Sequence, residues 1–520
     1  MKKALLLMLA LIMVLSSFVA CGSPDTPPAE ESKTPGESGN NPPASGNDTE
    51  GPAGTTAPDG PSTPAETQIG NLDPNIDLGG KEVTIISRSH YHFADEVAVE
   101  ESSGDPIESA IFQRNLDVER ILNCTLENFK VTESSNPDYA VVTQLKNTIG
   151  PDCPYDIMSA SAYTAFENTA AGLCHNLLDV EHIDLNQHYW APYYNEEATI
   201  GNQQYFATGA ISLALRRFIF VTFFNPTITA DHGIEDLYTV VNDGRWTLDY
   251  QAEIVNGVFS ELDGVEGKTE GDFYGFVTNH HICVDPYWAA CDATILDKDD
   301  DDYLIFAPEK EKLDNILTKL KQLYRRSGGT YSYSSKSGDA DQNDIRAKFT
   351  SEYAMMVTLR LLECEADDFR NMEAYGILPM PKFDETQENY YSHAHDQFAV
   401  YGIVSSVPTT EIDNMGAVLE CMAIEGYRTV TPAYFEIALK GKYSKDPQSW
   451  DMLDKIVNNL KIDGGLLYTI AISDITQQLR NVVKNDSPTV STVVFSAFGM
   501  KALNRSLDRF ITSVRNLQGA

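Results

Sequence analysis

The chain opens its ordered sequence near Asn71 and then alternates between two rhythms. Short β-branched runs give way to stretches in which apolar residues recur every three or four positions. Lys81 to Ser87, KEVTIIS, has the pattern of a buried strand, followed by a polar and aromatic loop, Arg88-Ser89-His90-Tyr91. Asp105-Pro106-Ile107-Glu108 then signals a helix start, with Asp as cap, Pro at the first position and Glu three residues after the cap. Ile107, Ile111, Val118, Ile121 and Leu122 line one face of that helix. Cys124 to Val131 reads as a second strand. Pro137 opens a second helix, with Val141, Val142, Leu145 and Ile149 on one side and Gly150 at its end. Tyr155 to Ser159 reads as a third strand, followed by Ala160-Ser161-Ala162-Tyr163. Strand, helix, strand, helix, strand implies an α/β layer with a parallel or mixed sheet. Ligands in such sheets sit outside the carboxyl ends of strands. That rule selects His90, Tyr91, Ser161 and Tyr163 as candidate ligand-binding residues.

The middle of the chain breaks this rhythm. Gln204 to Ala207 reads as a strand leading to Phe218 to Phe224, an apolar run long enough for one buried strand. Asn225-Pro226 ends it, and Thr247 is placed to cap a new helix carrying Ile254, Val255 and Val258. A second α/β block follows. Its landmarks are a strand or turn at Phe273 to Phe276 and a helix opening at Pro286-Tyr287-Trp288. Next come a periodic helix after Pro308 (Leu313, Ile316, Leu317, Leu320, Leu323, Tyr324) and strands within Phe349–Arg360, Tyr375–Pro381 and Phe398–Val407. Leu503, Leu507, Phe510, Ile511 and Val514 mark the last helix. At 520 residues the chain is too long for one core, so the Phe218 unit reads as the crossover between two lobes.

Composition sharpens the picture at the N-terminus. Lys2-Lys3 and the apolar run Ala4 to Leu15 form a secretory signal too short to span a bilayer with margin. Phe18-Val19-Ala20-Cys21 resembles the lipobox of bacterial lipoproteins, in which the cysteine is diacylated. Gly22 to about Gln68 is dominated by Ser, Pro, Gly, Thr, Asn, Ala and acidic residues, a composition that cannot bury apolar surface. As a tether it would reach roughly 40 Å. The 38 basic and 76 acidic side chains give a net charge of −38, which repels nucleic acid and anionic lipid headgroups. The eight cysteines match no zinc spacing. Cys283 and Cys291 are near enough in sequence to form a hairpin bridge, but free buried thiols are the favoured reading.

From about Gly79 onward the chain resembles the extracellular solute-binding proteins of ABC importers, in their carbohydrate-binding, maltose-binding-protein-like branch. The pieces carrying the likeness are KEVTIIS, YDIMSAS, FIFVTFFNP with WTLD behind it, EYAMMVTLR, YGILPMP and FAVYGIVSSVP, in that order. The resemblance implies an α/β, two-lobed type II periplasmic-binding-protein-like fold. A hinge of crossing strands would join the lobes, with ligand in the cleft between them. The implied organisation is a signal peptide (1–20), lipid anchor and tether (21–75), lobe 1 (76–217), crossover and lobe 2 (218–397), return to lobe 1 (398–462) and C-terminal helices on lobe 2 (463–520). The implied function is a monomeric, non-enzymatic protein lipid-anchored at Cys21 on the extracytoplasmic face of the cell membrane. It would capture an oligosaccharide without a cofactor, bind no nucleic acid and deliver its ligand to the permease subunits of an importer. A surface glycan sensor and a secreted glycoside hydrolase are the alternatives. No G-x-S-x-G, H-E-x-x-H or Walker pattern is present.

Sugar recognition needs aromatic faces and planar polar groups that bond hydroxyls in pairs. The 25 Tyr, 22 Phe and 4 Trp supply faces in abundance. Trp288 with Tyr287 is the leading stacking candidate, with core packing as the alternative. Trp190 and Trp246 read as structural. Arg360 ends a strand whose family counterpart leads into the sugar site, so it would bridge hydroxyls or a carboxylate, or else form a surface ion pair. His393-Ala394-His395-Asp396 has metal-ligand chemistry, but no second ligand cluster accompanies it. It reads as a polar loop, with His395 a ligand-binding candidate. Asp297 to Asp302 lacks the glycine of a calcium loop and reads as a turn.

Overall fold

The computed structural model describes residues 72–89, 95–99, 104–132, 136–333, 339–435 and 447–519. The signal, Cys21, the tether, His90 and Tyr91 lie outside the described residues. Among the described residues no helix is long and apolar enough to cross a membrane.

The first lobe is built on β1 (Lys81–Arg88), β2 (Cys124–Val131) and β3 (Ile157–Ser161). β1 is central and pairs in parallel with both neighbours, Ile85 lying opposite Asn128 on one side and Ile157 on the other. The helix Pro106–Leu122 connects β1 to β2. The Asp105 carboxylate accepts from the backbone N–H of Ile107 at 2.9 Å, and Asn123 closes the helix in the left-handed region. Pro137 opens a short 3-10 turn, Pro137–Tyr139, which runs into the helix Ala140–Thr148. β3 begins later than the sequence pattern suggests. Asp156 N–H donates to Thr84 C=O at 2.9 Å, but the Thr84 N–H goes to the Asp156 carboxylate at 2.9 Å, and the paired register starts at Ile157.

β4 (Phe220–Phe224) is buried at every position, as its apolar run demands. Asn225 then caps a short helix, Pro226–Asp231, and Thr247 caps Leu248–Asn256. The second lobe continues with β5 (Phe259–Ser260), β6 (Phe273–Asn279), the small hairpin β7 (Leu296–Lys298) and β8 (Leu304–Phe306), β9 (Thr330–Tyr333), β10 (Ala354–Arg360) and β11 (Gly376–Leu378). Its sheet runs β11-β4-β10-β6, with β5 and β9 both on the far side of β6. The chain then returns, and β12 (Ala399–Ile403) pairs antiparallel with β3, completing a first sheet of order β12-β3-β1-β2.

Three segments meet where the lobes join. Phe220 N–H donates to His393 C=O and His395 N–H to Phe218 C=O, both at 2.9 Å, and Leu361 N–H donates to Ile219 C=O at 2.9 Å. These are the crossing strands of a two-lobed α/β protein.

Two expectations of local structure change. Gln204–Ala207 makes only a single bridge, Ala207 to Tyr401. The Gln204 side-chain amide donates to Asn195 Oδ1 and Phe206 C=O, so side chains satisfy groups that a strand would pair. The helix Pro447–Asn458, expected on the first lobe, packs on β11 and the helix Leu237–Asn242 of the second. Ser449 Oγ takes the Ile377 N–H at 3.1 Å and bonds Tyr238 OH at 2.9 Å, which ties the helix to that sheet edge. The helix Ile475–Lys484 packs on the second lobe. The last helix, Ala497–Gln518, buries the five apolar residues expected of it. It lies against both β8 and the Thr169–Ala171 turn of the first lobe.

Candidate functional site

The carboxyl ends of the strands in both lobes face one another across the crossing segments, and a cavity of about 320 Å³ lies between them. The first lobe contributes Asp138, which follows β2, and Tyr163, in the first turn of the helix Ala162–Glu167 after β3. The returning strand contributes His395, Asp396 and Gln397. From the second lobe come His281, just after β6, and Asp474 and Arg480, the cap and a mid-helix residue of Ile475–Lys484.

Each wall is fixed by polar contacts. Arg88 is fully buried at the end of β1. It donates to Asp138 Oδ1 at 3.0 Å and to Gln397 C=O at 2.9 Å, while Gln397 Nε2 donates to Asp138 Oδ2 at 2.8 Å. Arg480 grips Asp285 through both carboxylate oxygens, Nε to Oδ1 at 2.8 Å and Nη2 to Oδ2. Its Nη1 meets His281 Nε2 at 3.3 Å. Such a pair gains fixed geometry more surely than stability, because desolvation offsets the attraction. Asp474 caps its helix by accepting from Gln477 N–H at 3.1 Å, and both it and Ser473 take left-handed backbone angles.

Burial sets the protonation states. It pushes Asp396 up to about 7, with Asp285, Asp138 and Asp474 adding like-charge repulsion and Arg480 opposing. It drives His395 well below the ordinary imidazole range, helped by Arg360 and Arg480, so this ring is neutral at physiological pH. Burial and neighbouring acids raise the Tyr163 hydroxyl to about 12. The Tyr163 ring is half-buried and meets Tyr139 edge-on at 6.3 Å. An aromatic face beside amides, carboxylates and a guanidinium can stack on a sugar ring and bond its hydroxyls in pairs.

The residues singled out by sequence separate into groups. Tyr163 and His395 share this cavity. Arg360 lines a different one of about 370 Å³, beside Arg217, Arg346 and Glu363. It is buried, donates to Glu363 Oε1 at 3.3 Å and lies over the Phe218 ring at 5.1 Å. Ser161 ends β3 fully buried behind Tyr163. Tyr287 and Trp288 line neither cavity. Every residue of their helix, Asp285–Ala290, is buried, and Trp288 is only 1% exposed, so the expected stacking face is packed inside the second lobe. Tyr287 OH bonds Thr358 Oγ1 at 3.0 Å and Gln251 Oε1 at 3.2 Å. Trp190 and Trp246 are buried, their indole N–H groups held by Glu420 at 2.8 Å and Pro379 C=O at 2.9 Å. The seven cysteines among the described residues, Cys283 and Cys291 included, are free thiols.

Arg480, Asp474 and Asp138 were not legible as residues of this cavity. Arg480 and Asp474 belong to an ordinary amphipathic helix and its cap. Asp138 follows a proline that signals only a helix start. Asp396 stood in view as the neighbour of His395, and its burial was the missing fact.

Two α/β lobes, crossing strands and a cleft at the strand ends define the type II fold of two-lobed solute-binding proteins. No family model matches the chain, and no curated protein matches it. Solved structures do match in fold. UspC from M. tuberculosis aligns at 14% identity over 82% of this chain and 99% of its own, with a TM-score of 0.51. A sugar transporter from Rhizobium etli, in an open conformation, aligns at 14% identity over 84% and 99%, with a TM-score of 0.50. The likeness is one of fold.

Proposed function

We propose that this chain is an extracytoplasmic solute-binding protein that captures a carbohydrate in the interlobe cleft and delivers it to the permease of an ABC importer. The observation that carries the reading is the cavity that Tyr163 lines together with the fixed polar groups of Arg480 and His281. Hinge bending about the crossing strands would close both walls on the ligand. The choice of an oligosaccharide rests on the aromatic supply of the chain and on the family resemblance. Lipid anchoring at Cys21 and a monomeric state belong to the same proposal, supported by the lipobox-like sequence and the tether composition.

The test is a thermal-shift screen of the soluble body against mono-, di- and oligosaccharides. A true ligand at a hundred times its Kd adds about 2.7 kcal/mol of stability, a clear rise in melting temperature. No shift with any sugar, or turnover of a sugar, contradicts the proposal. Cys21→Ala should release the protein from the membrane or leave an unprocessed precursor. Unchanged processing and anchoring would remove the lipoprotein part alone.

A further inference from the structure

The last helix, Ala497–Gln518, buries one side and shows the other to solvent. With about 3.6 residues per turn, Phe498, Arg505, Arg509 and Asn516 fall along one line. That line lies opposite the buried Leu503, Leu507, Phe510 and Val514, and all four residues on it are exposed. Lys501, also exposed, flanks it one turn before Arg505. Phe498 is 85% exposed, the most open large hydrophobic side chain among the described residues. Val493, just ahead of the helix, is 48% exposed.

The charge on this face runs against the rest of the molecule. The chain carries 76 acidic and 38 basic side chains, yet the helix holds Lys501, Arg505, Arg509 and Arg515 against the single acid Asp508. Elsewhere carboxylates answer the arginines: Glu365 holds Arg217, Glu363 holds Arg346 and Asp285 holds Arg480. Among the described residues the side chains of Lys501, Arg505 and Arg509 make no ion pair and no hydrogen bond. Arg515 is set apart, lying over the Tyr303 ring at 4.2 Å beside the acidic turn at 299–302. At the opposite end Lys310 adds a positive charge, its Nζ donating to Phe495 C=O at 3.0 Å.

We propose that the outer face of this helix, from Phe498 to Arg509, rests on the anionic headgroups of a lipid surface, with Phe498 entering the interface. Long basic side chains around an exposed aromatic ring suit fluid headgroups, which need no preformed socket. A folded acidic partner would have to supply one for Phe498. The net charge of −38 opposes approach from a distance. Charges farther off than a Debye length, ~8 Å at physiological salt, are largely screened, so the touching face decides the contact. The inference is independent of the carbohydrate reading. A chain tethered at Cys21 would keep this face close to lipid, so that even a weak contact fixes which side of the body meets the membrane.

The experiment uses the chain from Gly22 onward, which keeps the tether and lacks the signal and Cys21. It is sedimented with vesicles of phosphatidylcholine alone and of phosphatidylcholine with an equal part of phosphatidylglycerol. At low ionic strength the anionic vesicles should bind at least about tenfold more protein, and less as salt rises. Reversing three charges together, Lys501→Glu, Arg505→Glu and Arg509→Glu, should lower that partition on the order of a hundredfold and leave the melting temperature unchanged. Phe498→Ser should lower it about fivefold. A charge-matched control on other elements, Arg120→Glu with Lys130→Glu and Arg370→Glu, should keep binding. Binding that phosphatidylcholine matches, that the reversal variant retains or that the control loses equally overturns the inference. No sedimentation with phosphatidylglycerol at low ionic strength also overturns it, and points to an acidic protein as the occupant of this face.

Discussion

Two short helices follow strand ends in opposite lobes, and each brings an aromatic residue to its first turns. Ala162–Glu167 follows β3 and carries Tyr163, half-buried against the cavity. Asp285–Ala290 follows β6 and carries Tyr287 and Trp288, both buried. Position relative to the sheet does not separate them. Their flanks do. Trp288 lies in a run, Val284 to Cys291, that is apolar apart from Asp285, and a helix apolar on all sides goes inward. The one acid in that run, Asp285, is neutralised by Arg480 from a distant helix. Tyr163 has Asp138, Asp396 and Asp474 nearby, so water and ligand reach its face. The open strand end is thus the one that keeps polar company, and the largest aromatic ring is a poor guide to it.

The most severe test of that contrast is Trp288→Ala. Emptying a fully buried indole site should cost about 3–5 kcal/mol of stability, read from urea denaturation. The fraction that folds should keep its ligand affinity. A stable variant that loses its ligand would mean that Trp288 reaches the cleft.

Tyr163→Ala should show the opposite pattern. Losing one stacking face costs on the order of 1–3 kcal/mol of binding, a drop of about ten- to a hundredfold in affinity. Its melting temperature without ligand should barely move. A large stability loss here would erase the distinction between the two helices.

A smaller effect sharpens the comparison through pH. The folded carboxyl of Asp396 sits at about 7, above its unfolded value. A raised carboxyl contributes stability that is fully present below the unfolded pKa, ~3.9, and is lost as pH rises through the folded value. Asp396→Asn removes that dependence. In the absence of ligand the variant should melt a few degrees above the parent at mildly alkaline pH and no higher under acid conditions. Coincident melting at every pH would show that Asp396 is solvated like an ordinary surface carboxylate.

Much of the fold was readable in the chain because local signals agreed. Asp105-Pro106 and Thr247 begin helices where their chemistry demands, Asn225-Pro226 ends β4, and the Phe218–Phe224 run is buried at the crossing. What stayed hidden depended on distant partners. Nothing near Asp156 shows that its carboxylate takes the Thr84 N–H, and nothing near Ser449 shows that it ties a late helix to β11. The cavity followed the same division. The strand-end rule pointed to Tyr163, which lines it. Arg480 was not legible, because its role arises from Asp285, far away in sequence and brought near only by folding.

The central claim is that a carbohydrate binds between Tyr163 and the second lobe. Isothermal titration calorimetry of the soluble body, parent and Tyr163→Ala, with the best sugar from the thermal-shift screen tests it most directly. The expected result is saturable binding at one site per chain in the parent, weakened about ten- to a hundredfold in a variant of unchanged melting temperature. Equal affinity in the two proteins, or no saturable binding in the parent, would contradict it.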